Sequence, residues 1–287
     1  MACSGFRRLC MVAVVISATC QAQDSGRASV DPTPSQGGSG TRTINCGTFA
    51  ASDASLVLVS KLCVFALTYR RKLPDFIAQQ TTTSQGPGST VIMNAQVTYH
   101  DGLERHSQVV INGKPANPKK PLYADLRLVT NGEFGPLLIN LFEMPGAIEF
   151  TFPKTDALLG VPVAVFDFHL PKPKNTFWAI RDARGATIKP EFRGHLWLEK
   201  ETGRLMREEV EPVLDAWQTG ISSMKVSADY APTQVRDVGI FLLPVKSESR
   251  MCLIGRLGVN LGCTANVAVF HDYQKFVATS RILPAEQ

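Results

Sequence analysis

The residues of this chain that could do chemistry are few and scattered. The histidines are His100, His106, His169, His195 and His271. No two have H-x-H or H-x-x-x-H spacing, and H-E-x-x-H is absent, so the helical zinc-hydrolase pattern is excluded. No cysteines stand as C-x-x-C, the spacing a structural zinc site favours. Metal ligands and cofactors are therefore not expected. No serine sits in a G-x-S-x-G elbow. Gly38-Ser39-Gly40 lies in a Gly/Ser-rich stretch that could not preorganise an oxyanion hole. Gly86-Pro87-Gly88-Ser89 lacks both phosphate-loop spacings and reads as a hairpin loop. Glu199, Glu201, Glu208, Glu209 and Glu211 cluster, and paired carboxylates across a cleft can hydrolyse glycosides. Here they alternate with Lys200, Arg204 and Arg207, which predicts a charge-paired surface. An enzyme would need distant side chains to converge, for instance Asp167 and His169 with Arg193 and His195. No catalytic residues are assigned.

What the chain offers instead is large apolar side chains at strand spacing. Ile148, Phe150, Phe152, Phe166, Phe168, Leu196, Leu198 and Met224 are candidates for one concave, ligand-binding face. Burial of apolar surface releases about 25 cal/mol per Å². A lipid chain in such a hollow would be held by several kcal/mol; a helix filling it would leave no room.

The elements that must position this face follow from the pattern. Phe192, Gly194, Leu196 and Leu198 alternate with Arg193, His195, Trp197 and Glu199. Phe166, Phe168 and Leu170 alternate with Asp167 and His169. One face is greasy and one wet, as an antiparallel sheet allows. Reversals are marked by Asp101-Gly102, Asn112-Gly113 and Thr202-Gly203. Further extended runs are Ala147–Phe152, Val161–Leu170, Thr176–Arg181, Ser222–Tyr230, Val238–Glu248 and Thr264–Val277. Ten to eleven strands meet through tight turns without crossover helices, which predicts an antiparallel sheet. A helix is expected from Ser52 or Asp53 to Lys72, mostly covered, with Pro74 as its stop. A short second helix is expected over Gly135–Phe142. The predicted fold class is mainly β (α+β): one large antiparallel sheet curled into an open, unclosed barrel, covered by the N-terminal helix and the short one.

Composition and the N-terminus supply a compartment. The 287 residues are 44% hydrophobic and 19% charged, with a mean hydropathy of +0.01. This excludes a mostly disordered chain and a multi-span membrane protein. Residues 1–22 read as a secretory signal: Arg7 and Arg8, the apolar run Leu9 to Ala18, then Cys20-Gln21-Ala22. Removing them lowers the formal charge from +5 to +3, too little to argue for nucleic acid. The alternative is a lipid anchor through Cys20. No later run is long enough to span a bilayer. Residues 23–43 read as a disordered Ser/Gly/Pro linker, and residues 44–287 as the barrel domain. Cys46, Cys63, Cys252 and Cys263 remain, an even count that suits an oxidising compartment. Of three possible pairings, Cys46–Cys63 with Cys252–Cys263 is the simplest, and free buried thiols are the alternative.

Several stretches look familiar together: LPDFIAQQTTT (Leu73–Thr83), VVINGKPA (Val109–Ala116), NGEFGPLLINLFE (Asn131–Glu143), FRGHLWLEKETGRLMREEVE (Phe192–Glu211), DVGIFLLPVKSESRM (Asp237–Met251) and VFHDYQKF (Val269–Phe276). Their order resembles an uncharacterised family of exported acidobacterial proteins. The hairpin Gly194–Arg207 with the later F-x-L-P strand also resembles the LolA/LolB-like periplasmic lipoprotein carriers. The resemblance covers roughly residues 50–280. It implies an unclosed barrel whose hydrophobic hollow is covered by helices. The expected function is an exported binding module, with lipid, lipoprotein or an envelope protein as partner. The alternative is an envelope scaffold or sensor with a filled core.

Overall fold

A computed structural model describes residues 46, 56–100, 103–117, 126, 128–130, 132–134, 136–143, 148–151, 154–182 and 185–276. The expected signal, the linker, Phe152 and the Asp101-Gly102 turn lie outside the described residues.

Helix α1 spans Leu56–Lys72. Val59, Leu62, Cys63, Ala66 and Tyr69 are buried, at three- and four-residue steps that put them on one face. Val57 and Val64 are exposed on the other, so the helix is less covered than its sequence predicts. Leu73 N–H still donates to the Tyr69 carbonyl, and Pro74 then ends the helix. Strands β1 (Phe76–Gly86), β2 (Ser89–His100), β3 (Leu103–Ile111) and β4 (Lys114–Pro115) follow as a meander. Gly86 pairs with Ser89 and Ile111 with Lys114 across two-residue turns, and His100 pairs with Leu103. Helix α2 (Pro136–Glu143) is buried from Leu137 through Phe142.

The rest is strand: β5 (Glu149–Phe150), β6 (Lys154–Leu158), β7 (Val161–Leu170), β8 (Ile180–Arg181), β9 (Thr187–Ile188), β10 (Glu191–Glu199) and β11 (Leu205–Val213). After the short helix α3 (Ala216–Thr219) come β12 (Ile221–Val235), β13 (Gly239–Ile254) and β14 (Asn260–Lys275). Twelve strands form one sheet in the order β4-β3-β2-β1-β14-β13-β12-β11-β10-β7-β5, with β6 also on β7; β8 and β9 form a separate pair. Every pairing of named strands is antiparallel. The sheet is not closed. The strand count exceeds the expected ten to eleven because β4, β5, β8 and β9 are two-residue pieces.

One expected strand is largely a loop. Only Ile180 and Arg181 of Thr176–Arg181 are extended in a pair. The Asn175 side chain donates to the Trp178 and Pro190 carbonyls and accepts from Trp178 N–H, which folds the chain onto itself instead.

The inner face of the sheet packs on the helices in two clusters. β7, β10, β11 and β12 meet Val59, Leu62, Cys63 and Ala66 of α1 and most of α2. β1, β2 and β14 meet Tyr69 of α1 and Ile139 of α2. Phe65 touches both clusters. Strands far apart in the sheet order reach the same helix, so the sheet must curl around it. The disulfides are Cys46–Cys63 and Cys252–Cys263. The first ties α1 to its own preceding segment; the second bridges register partners of β13 and β14.

Candidate functional site

The inner faces of β7 and β10 form a wall. Their register sets Phe166 opposite Leu196 and Phe168 opposite Gly194. Gly194 is required there: a Cβ would stand 2.1 Å from the Glu209 carbonyl oxygen and 2.4 Å from the Phe168 ring. The missing side chain is what lets that ring lie across β10. Phe150 joins from β5, its ring 6.4 Å from Phe168 and 6.2 Å from Phe142 of α2. Ile148, Phe166, Phe168, Leu196, Leu198 and Met224 are buried in one cluster, with Phe150 packed against it. Seven of the eight expected lining residues are thus in one place, and α1 and α2 lie on them. Phe152 lies outside the described residues.

A second part of the inner face was not legible as a site. On β1, β13 and β14 the inward residues include Thr82, Ser84, Ser247, Ser249, Thr264 and Asn266, all buried. With Gln80, Glu104, His106 and Glu133, several of them line a cavity of about 30 Å³. That is room for a water molecule with polar partners. Glu133 accepts hydrogen bonds from Thr130 (2.6 Å) and Ser247 (3.2 Å), and its carbonyl accepts from the Tyr230 hydroxyl (3.2 Å). Glu104 accepts from the backbone N–H of Phe134 at 3.2 Å. Burial, with the nearby Glu133 charge, pushes the Glu104 carboxyl up to about 8 despite the N–H groups of Gly132 and Phe134. Burial also lowers the basicity of His106, which lies 2.9 Å from Gln80 Oε1. None of the expected apolar residues lines this cavity.

The acidic hairpin divides between the two sides of the sheet. Glu209 and Glu211 face outward to Lys225 Nζ, at 2.9 and 2.7 Å, and Glu199 meets Arg204 at 3.2 Å. These are the solvated pairs expected. Glu208 is not: it is fully buried, and burial pushes its carboxyl up to about 8. The correction has a simple cause. Val210 points inward, and two residues back along a strand is the same face. That phase was readable in the sequence, but the surrounding charges masked it.

The acid–histidine set does converge, on the outer face. His195 Nδ1 lies 2.7 Å from Asp167 Oδ1, and Lys154 lies 3.2 Å from Oδ2. Burial pushes the Asp167 carboxyl up, but the His195 and Lys154 hydrogen bonds outweigh it and leave it below the usual range. His169 sits 3.0 Å from Glu191 and 3.3 Å from Glu149, and Arg193 also reaches Glu191. Among the described residues, neither His169 nor His195 is hydrogen-bonded to a hydroxyl or thiol that it could activate. A row of half-exposed ion pairs on a sheet surface is what this arrangement provides. No group of three or more His, Cys, Asp or Glu among the described residues could hold a metal ion. No helix among them is long and apolar enough to cross a membrane.

An unclosed antiparallel sheet with two helices in its concavity defines the architecture. Known structures of similar shape include a LolA superfamily protein from Nitrosomonas europaea (12% identity, 79% of this chain, 96% of that one, TM-score 0.36). A DUF1329 family protein from Desulfovibrio piger matches with 14% identity, 80% and 96% coverage and a TM-score of 0.41. The Mycobacterium tuberculosis lipoprotein LppX matches with 9% identity, 80% and 100% coverage and a TM-score of 0.30. Likenesses this loose carry no functional weight. No family model and no curated protein sequence matches the chain.

Proposed function

We propose that the chain is an exported, non-enzymatic binding module that holds a hydrophobic or lipidated ligand between the inner face of its sheet and α1–α2. The observation that carries this reading is the apolar wall of Phe166, Phe168, Leu196 and Leu198, covered by helices on a sheet that is not closed. The Cys46–Cys63 bond joins α1 to its own flank and not to the sheet. Side-chain packing and the Tyr69 hydroxyl, which donates to the Leu242 carbonyl of β13, hold it there. An acyl chain that displaced α1 would replace one apolar contact surface by another, at about 25 cal/mol per Å² on either side. Residues 1–22 would direct export, residues 23–43 would act as a linker, and residues 44–287 would be the folded unit. The two disulfides fit that extracytoplasmic setting.

A second reading has its own observation. Phe166, Leu196 and Leu198 are fully buried under the helices as the chain stands, which suits an envelope scaffold with a permanently filled core. Native mass spectrometry of protein purified from its own envelope separates the two. The carrier reading expects bound lipid and exchange with an uncharged pyrene-labelled long-chain alcohol. Spectra free of lipid, together with no uptake of that alcohol, would leave the scaffold.

A further inference from the structure

Among the described residues the inner face carries buried carboxyl groups and no buried lysine or arginine. Glu208 points inward between its cross-strand neighbours Leu196 and Ala228, with neither carboxyl oxygen hydrogen-bonded. Glu133 is buried too, while no lysine or arginine is buried among the described residues. The charged groups on the strands beside Glu208 turn outward: Arg207 Nε to Asp229 at 2.7 Å, Lys225 to Glu209 and Glu211, His195 to Asp167. Tyr230 of β12 faces the same interior, but its hydroxyl donates to the Glu133 carbonyl and not to Glu208. Helix α1 presents apolar side chains to this cluster. A polar group buried without a partner is destabilising. Side chains of this kind in native proteins call for a role.

We propose that the hollow selects an amphipathic ligand whose polar end is a hydrogen-bond-donating amine, received by Glu208, and discriminates against fatty-acid anions. This rests on the apolar hollow proposed above. An ammonium group brings three donors and the positive charge that the interior lacks. A carboxylate head would bring a negative charge that no buried lysine or arginine among the described residues could offset, so its desolvation would go unpaired. The proton balance follows. In the empty protein burial keeps Glu208 protonated at neutral pH. Docking of R–NH3⁺ forms a carboxylate–ammonium pair, and the carboxyl proton leaves to solvent. Each amine bound releases one proton, whereas a neutral alcohol releases none.

Dodecylamine, dodecanol and dodecanoate, competed at pH 7 against the pyrene-labelled alcohol on the full mature chain, test this. Calorimetry in two buffers of different protonation enthalpy counts the protons. Wild type should bind dodecylamine at least about tenfold more tightly than dodecanoate, as expected for a charge-assisted pair, with net proton release. In E208Q the amine preference and the proton release should both vanish. Lys225→Ala, on the outer face, should keep both. Should E208Q fold poorly, E208L carries the same comparison, and the wild-type proton count needs no variant. Equal affinity for amine and fatty acid in wild type, or a preference that survives E208Q, overturns the inference and leaves the hollow standing. Failure of all three chains to bind overturns both.

Discussion

One sheet encloses two different interiors. Beneath β7 and β10 the inward residues are Phe166, Phe168, Leu196 and Leu198, packed against α1 and α2. Beneath β1, β13 and β14 they include Thr82, Ser84, Ser247, Ser249 and Asn266, gathered around a small polar cavity. Both sets are buried and both sit on the same continuous face. The difference teaches how each is held. The apolar half is held by packing, which tolerates exchange of one greasy surface for another. The polar half is held by directed hydrogen bonds, such as Asn266 Nδ2 to the Leu128 carbonyl at 2.6 Å. Those bonds fix the covering loop and leave little freedom to exchange partners. The ligand capacity proposed above therefore belongs on the first side, and rigidity on the second.

The strongest way to break this contrast is a cavity on the apolar side. Phe166→Ala removes a fully buried ring and should cost about 3–5 kcal/mol in urea unfolding. If the hollow takes a ligand, a long-chain alcohol should restore part of that loss by filling the space. A loss that no apolar molecule restores would show that the wall serves only as core.

Glu208 sharpens the contrast by pH. Its carboxyl titrates near 8 in the folded chain, against an ordinary value of 4.5. The folded state therefore holds more protons than the unfolded state between those values. Stability is fully present below about pH 4.5 and falls as pH rises through 8. Glu208→Gln removes this group's share, so the variant should gain on wild type across that window by a few kcal/mol. Some decline should remain, because Glu104 titrates near 8 as well. Parallel stability profiles for wild type and E208Q would mean that the carboxyl is not desolvated.

The polar half answers to smaller changes. Ser247→Ala takes one of two hydroxyl donors from the buried Glu133 carboxylate. It should cost about 1–3 kcal/mol, the loss for a buried acceptor left short of a donor. Ser84→Ala, on the same face, is the companion for comparison. An unchanged urea midpoint for Ser247→Ala would show that solvent reaches Glu133 freely.

These two interiors were not equally legible. Phe166, Phe168, Leu196 and Leu198 announced themselves because apolar residues alternated with charged ones, and the turns at Gly86–Ser89, Asn112-Gly113 and Thr202-Gly203 followed from equally strong local signals. In Gln79-Gln80-Thr81-Thr82-Thr83-Ser84 both faces are polar, so alternation carried no sign of which side was inside. Only pairing with β14, nearly 200 residues away, decides it. Glu208 fell between these cases: its phase was available from Val210, but the neighbouring Glu209 and Glu211 made the whole run look solvated. Periodicity shows where a sheet is greasy. It does not show where the interior itself is polar.

The smallest effect belongs to the outer face, opposite the apolar wall. Asp167→Asn removes the charge between His195 and Lys154 while keeping the side-chain shape. Both partners are substantially exposed, so solvent screens the pair, and the loss should be within about 0–1 kcal/mol. Because His195 and Lys154 hold the Asp167 carboxyl below its ordinary range, the stability it adds is present above an unfolded carboxylate pKa near 4. That share is lost as pH falls through the lower folded value. Wild type and Asp167→Asn should therefore converge in acid and differ slightly at neutral pH. The Phe168 and Leu196 cluster lies on the other side of the same two strands, and its ligand uptake should not change. A large loss of stability or of alcohol binding in Asp167→Asn would mean that the two faces of β7 and β10 are coupled, and the division of labour drawn here would have to run through the strands as well as along the sheet.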